Sequence, residues 1–180
     1  MCTKISNFDS MPSTSSRETI QLGVSTFDRL NLPAFAMNWQ VSNDGQTTQV
    51  HCLNRRRWVT LEPEEWVRRH WLHHLASDLG YPQGLISVEH AVELNGMKRF
   101  ADIVCHDTHG QPLMILELKR PNVKLNKAVL DQALRYHLVM QSPWVVISNG
   151  IHHQGFRFTH GAFQALNSLP TFAASQDEDN

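Results

Sequence analysis

At 180 residues, with 41% apolar and 18% charged residues, the chain has the composition of one globular domain with a sizeable core, too short for a motor or methyltransferase beside it. A net charge of −1 excludes nucleic-acid binding by bulk charge alone and leaves only local basic patches for that purpose. No run approaches the roughly 18 apolar residues of a membrane span, the N-terminus lacks an apolar signal core, and no Gly-Xaa4-Gly-Lys-Ser/Thr loop occurs. A soluble, cytoplasmic protein with no membrane partner is expected, with Cys2, Cys52 and Cys105 as reduced thiols.

In chain order, residues 1–27 are rich in Ser and Thr, lack periodicity, and read as a disordered leader before a single domain over residues 28–172. Asn43-Asp44-Gly45-Gln46 marks a β-hairpin ahead of the first helix. Arg55-Arg56-Arg57-Trp58 and Arg68-Arg69 are basic runs that either meet phosphates or lie as solvated turns and helix faces. The first helix starts at Pro63, with Glu64 and Glu65 in its first turn, a buried stripe of Val67, Trp71, Leu72, Leu75, Ala76 and Leu79, and a stop at Gly80. His70 and His74 share a face of this helix, but His-Glu-Xaa2-His is absent, so a zinc site is not expected there.

Leu85 to Leu94 reads as a strand that turns at Asn95-Gly96 into a second strand carrying Asp102, with Glu89 as an edge charge. Asp107 to Pro112 supplies the next turn, and a third strand carries Glu117 and Lys119. A turn centred between His109 and Gly110 sets Asp102 opposite Glu117, with Cβ atoms about 5 Å apart on one face. Lys119 falls on that face about 6.6 Å further along. Both strands are apolar on both faces, which argues against the plainer alternative of strand ends meeting solvent. Opposed carboxylates in such a ladder repel and are costly to bury, and a hard divalent cation would relieve both effects. Repulsion alone also predicts that Asp102→Ala leaves the metal-free fold no less stable.

A second helix runs to Met140, with Asp131 and Arg135 as one i,i+4 pair and Gln132 and Tyr136 as another. Trp144 to Ser148 is a buried β-branched strand, and residues 173–180 are expected to be a disordered tail. The fold class is therefore α/β in the broad sense, an α+β mixed sheet with an αβββαβ core and an N-terminal β-hairpin.

The runs LNLPAF, LEPEEWVRRHWLHHL, LGYPQGLISVEHAVELNGMKRFADIV, ILELKRPNV, DQALRYHLVM and WVVISNG, in this order from Leu30 to Thr159, resemble the PD-(D/E)XK nuclease superfamily. They are more closely similar to the N-terminal nuclease domain of type I restriction enzyme R subunits. Ala101 replaces the Pro of the superfamily name, as is common in that subfamily. The resemblance implies a restriction-endonuclease-like fold and a Mg²⁺-dependent DNA endonuclease, with Mn²⁺ as a substitute. It implies Asp102, Glu117, Lys119 and Gln132 as catalytic residues, with Gln132 and Tyr136 matching a Gln-Xaa3-Tyr pair that supports the active site. Metal ligands would be Asp102, Glu117 and, in preference to Glu65, Glu64. Partners it admits are DNA, a second copy of the chain, and separate helicase or modification subunits. The alternative is a catalytically inactive module of the same fold that binds nucleic acid or a protein partner.

Overall fold

In the computed structural model, which describes residues 18–176, the chain opens with a hairpin of β1 (Thr19–Leu22) and β2 (Ser25–Asp28). The expected leader therefore does not extend over residues 18–27, and its remainder, with Cys2, lies outside the described residues. Phe27 is buried and stacks on Trp66 at 4.9 Å, which docks the hairpin on the core. Next, β3 (Trp39–Val41), β4 (Thr48–Cys52) and β5 (Arg57–Thr60) form a three-stranded antiparallel sheet, whose first turn is the expected one at residues 43–46.

Helix α1 (Pro63–His73) has Pro at its start and acidic side chains in its first turn, then passes through a π-helical turn to Asp78 before Gly80, at φ 75°, ends it. Three consecutive antiparallel strands follow: β6 (Ile86–Leu94), β7 (Met97–His106) and β8 (Pro112–Leu118). The β6–β7 turn needs two residues at positive φ, which Asn95 and Gly96 supply at 52° and 72°. Between β7 and β8, Asp107 Oδ1 accepts the backbone N–H groups of His109 and Gln111. Helix α2 (Lys127–Met140) is capped by Asn126, whose side chain accepts from Ala128 and Val129, and stops at Gln141 in the left-handed region. It returns the chain to β9 (Trp144–Ser148), which pairs parallel to β8.

This is the expected αβββαβ order, extended by β10 (His153–Thr159) and β11 (Ala162–Ala165) into a six-stranded mixed sheet, β11-β10-β9-β8-β7-β6. A last short helix, α3 (Phe172–Gln176), sets Phe172 against Tyr81, so the expected tail is helical over residues 173–176; residues 177–180 lie outside the described residues.

Both faces of the sheet centre are covered, as apolar runs without polar alternation require. Met114, Leu116 and Leu118 pack with Trp71, Leu72 and Leu75 on the α1 side, while Ile115 packs with Ala101, Val104 and Tyr136 on the α2 side. Helix α1 is buried nearly all round, including Glu65, Arg68, Arg69 and His70, which a solvated charged face would not be. Gly150, at φ 82°, lets the chain pass α1 closely, since a Cβ there would lie 2.9 Å from Val67.

Candidate active site where β7 leaves β8

The β7–β8 register has the expected value: Ile103 faces Leu116, Val104 faces Ile115, and Cys105 faces Met114. Pairing stops at Ile103 and Leu116, one step before Asp102 and Glu117. The Leu118 N–H instead donates to Asp102 Oδ2 at 2.7 Å, a side chain standing in for a ladder carbonyl. On the other side, β6–β7 pairing skips Glu89, which falls opposite Asp102 and adopts φ 52°. A non-glycine residue in that conformation inside a strand is strained, and here it marks the break in the sheet. Asp102 thus sits where both neighbouring ladders are interrupted.

Glu117 is 2% exposed, with Oε1 accepting from Lys119 Nζ at 2.5 Å and Oε2 buried without a hydrogen-bond partner. Burial, together with the negative charge of Asp102 and offset by Lys119, pushes its carboxyl up to about 7. Lys119 is drawn downward by burial, but its bond to Glu117 and the charges of Asp102 and Glu64 outweigh this and raise it. Gln132 on α2 brings its Oε1 to 3.5 Å from Lys119 Nζ. Glu64 is raised chiefly by burial and then by Asp102, which places it in the same electrostatic neighbourhood. The structure therefore brings Asp102, Glu117, Lys119, Gln132 and Glu64 to one locus. It does not bring Tyr136 there: its hydroxyl donates to the Phe100 carbonyl at 3.0 Å and ties α2 to β7.

Reading the sequence alone missed how charge is held around this locus. Asp102 Oδ1 accepts from Arg68 at 2.5 Å, and Arg68 also binds Glu65 at 2.6 Å. Glu65, 5% exposed, is further paired with Arg55 and with Arg69, and Arg55 bonds Glu89 at 2.9 Å. Neither phosphate binding nor a solvated turn describes Arg55 and Arg68: both are internal ion-pair members, at 13% and 7% side-chain exposure. Glu89 is more than an edge charge, since it lies 4.0 Å from Arg68. The expectation that Asp102→Ala costs nothing is corrected too, because Asp102 makes an ion pair with Arg68 and accepts from the Leu118 N–H, which its loss would strand. One signal was legible: Arg68 stands at i+3 and i+4 from Glu65 and Glu64.

A cleft of about 600 Å³ opens here, lined by Glu64, Arg68, Val88, Glu89, Phe100 and Asp102 and flanked by Arg55 and Arg57. The histidines of α1 lie elsewhere, with Nδ1 of His70 bonded to the Trp66 carbonyl and that of His74 to Asp78. Among the described residues no three His, Cys, Asp or Glu side chains form a ligating group as they stand; Arg68 and Lys119 take up carboxylate oxygens instead. By donor chemistry the set fits a hard cation: Asp102, Glu117 and Glu64 offer oxygen only, and the buried Glu117 Oε2 has no partner.

The family described as type I restriction enzyme R protein N terminus matches residues 63–170. A fragment assigned to the HsdR subunit of a type I restriction enzyme from Vibrio vulnificus YJ016 has a similar structure, with a TM-score of 0.52 and 20% identity over 65% of this chain and 25% of that one. This chain thus spans a quarter of that protein's length, and the two share a fold. A second solved structure, assigned as a DUF820 nuclease from Anabaena variabilis ATCC 29413, gives a TM-score of 0.42 and 10% identity over 73% of this chain and 86% of that one. No curated protein matches the chain. The family match runs from the first residue of α1 past the end of β11, three-fifths of the sequence, and on that extent the chain belongs to the family of type I restriction enzyme R protein N-terminal domains.

Proposed function

We propose that the domain is a Mg²⁺-dependent nuclease that hydrolyses phosphodiester bonds in DNA, acting in the cytoplasm within a type I restriction system. The observation that carries this is the pair of carboxylates at the break in the β7–β8 ladder, one buried with a partnerless oxygen, beside the Lys119 ammonium. Asp102, Glu117 and Glu64 would hold the ion. Bound there, Mg²⁺ would supply an acidified water and neutralise charge on the phosphoryl group. Lys119, in contact with Glu117 and Gln132, would orient that water or meet the negative charge that develops on phosphoryl oxygens. Arg57, at the mouth of the cleft, is available for a phosphate of the strand.

The test combines cleavage with metal binding. Supercoiled, linear and single-stranded DNA are incubated with Mg²⁺ or Mn²⁺, and calorimetry follows the metal alone, for wild type and Asp102→Asn. Cleavage and metal binding in wild type, both abolished in the variant, support the nuclease. DNA binding without cleavage, and no heat at millimolar metal, would make the domain a non-catalytic module of the same fold.

A further inference from the structure

The guanidinium of Arg68 is buried, yet it has four carboxylates within 4.0 Å: Asp102, Glu65, Glu64 and Glu89. Two of these, Asp102 and Glu64, are oxygens that a metal would need. Asp102 Oδ2 already accepts from the Leu118 N–H and Oδ1 is held by Arg68, so an ion arriving at this carboxylate meets the guanidinium beside it. The arrangement is not a loose surface pair. Glu65 grips the other end of the guanidinium and is itself fixed by Arg55 and Arg69, all at or below 13% side-chain exposure. Removing Arg68 would leave Asp102, Glu64 and Glu117 facing one another across a partly desolvated cleft.

Building on the nuclease reading, we propose that Arg68 is a resident cation that holds Asp102 in the metal-free site, and that a divalent ion binds Asp102 only in exchange with it. An ion seated at Oδ1 with Arg68 still in place would meet a fixed positive charge at bonding range, where the lowered dielectric makes repulsion strong. Exchange relieves this, because Glu65 remains to receive the displaced guanidinium. The device keeps Asp102 in place before the metal arrives. It also discriminates by charge, since a monovalent ion gives Asp102 no more than Arg68 already does. Arg68 is in this sense a positioning residue for the metal site.

The test titrates Mn²⁺ alone, by calorimetry at fixed pH, into wild type, Arg68→Met, Arg68→Lys and Asp102→Asn, with melting temperatures recorded in chelator and in millimolar Ca²⁺. Arg68→Met should bind Mn²⁺ at least about tenfold more tightly than wild type, with the competing charge gone. It should melt lower in chelator and recover with Ca²⁺, whereas wild type should shift little. Arg68→Lys keeps a cation but cannot bridge Asp102 and Glu65, and should bind with intermediate affinity; it carries the test if the Met variant does not fold. Equal or weaker binding in the Arg68 variants, where wild type binds through Asp102, would overturn the exchange and leave the metal site standing. No binding by any variant, wild type included, would remove the metal reading itself and the exchange with it.

Discussion

The two ends of the β7–β8 pair are built from the same two strands and have opposite characters. Toward the turn, Val104, Cys105, Met114 and Ile115 are fully buried, paired in the ladder and covered by helices on both faces. At the other end, one residue past Ile103 and Leu116, the two strands stop pairing and ionisable side chains gather. The closed end has no unmet polar group to place, so it can be dry; the open end keeps charges together only by matching each with a counter-charge. Stability should therefore reside at one end and chemistry at the other.

Lys119→Ala should show the largest effect, a loss of about 10² to 10³ in cleavage rate per folded molecule for one missing electrostatic donor. Arg should not rescue it, because a planar fork cannot take the place of a compact ammonium. A fully active Lys119→Ala protein would dissolve the contrast between the ends. At the closed end, Ile115→Ala should cost about 2 to 5 kcal/mol of unfolding free energy in denaturant titrations, while leaving cleavage per folded molecule near wild type. Equal losses of both properties would mean that the ends are not separable.

Asp102→Ala sharpens the comparison because it touches both properties. It strands the Leu118 N–H and takes one carboxylate from Arg68, which keeps Glu65, so a destabilisation of about 1 to 3 kcal/mol is expected in chelator despite the repulsion it relieves. A rise in stability would show that repulsion outweighs those two bonds. A further effect is in pH. Glu117 is raised from 4.5 to about 7, so across that window the native state keeps a proton that the unfolded chain has released, and stability falls as pH rises. Glu117→Gln should flatten this decline in metal-free buffer, and an unaltered slope would assign it to another group.

The central strands, their order and the Asp102–Glu117 register were legible because turn residues and uninterrupted apolar runs are local signals. The charge network was not. Arg55 reaches Glu65 from the β4–β5 turn, and Arg68 reaches Asp102 across 34 residues of sequence, so nothing in the α1 pattern tells a buried charged face from a solvated one. The kink at Glu89 escaped for a related reason, since its positive φ belongs to a residue type that gives no hint of it. The β1–β2 hairpin was hidden by brevity: its four-residue strands bring Phe27 to the core with only Ile20 and Leu22, half-buried, beside it.

Beyond Ile103, β7 and its partner β6 project from the sheet as a two-stranded cantilever, and the Tyr136 hydroxyl on the Phe100 carbonyl acts as its stay. Phe100 stands two residues from Asp102 and lines the cleft, while Tyr136 borders a separate groove of about 430 Å³ on the α2 side. That bond, with Val92 and Ala101 packed on Tyr136, holds the arm against α2 beside the carboxylates. The position of Phe100 at the cleft is thus coupled to a helix on the opposite face of the sheet.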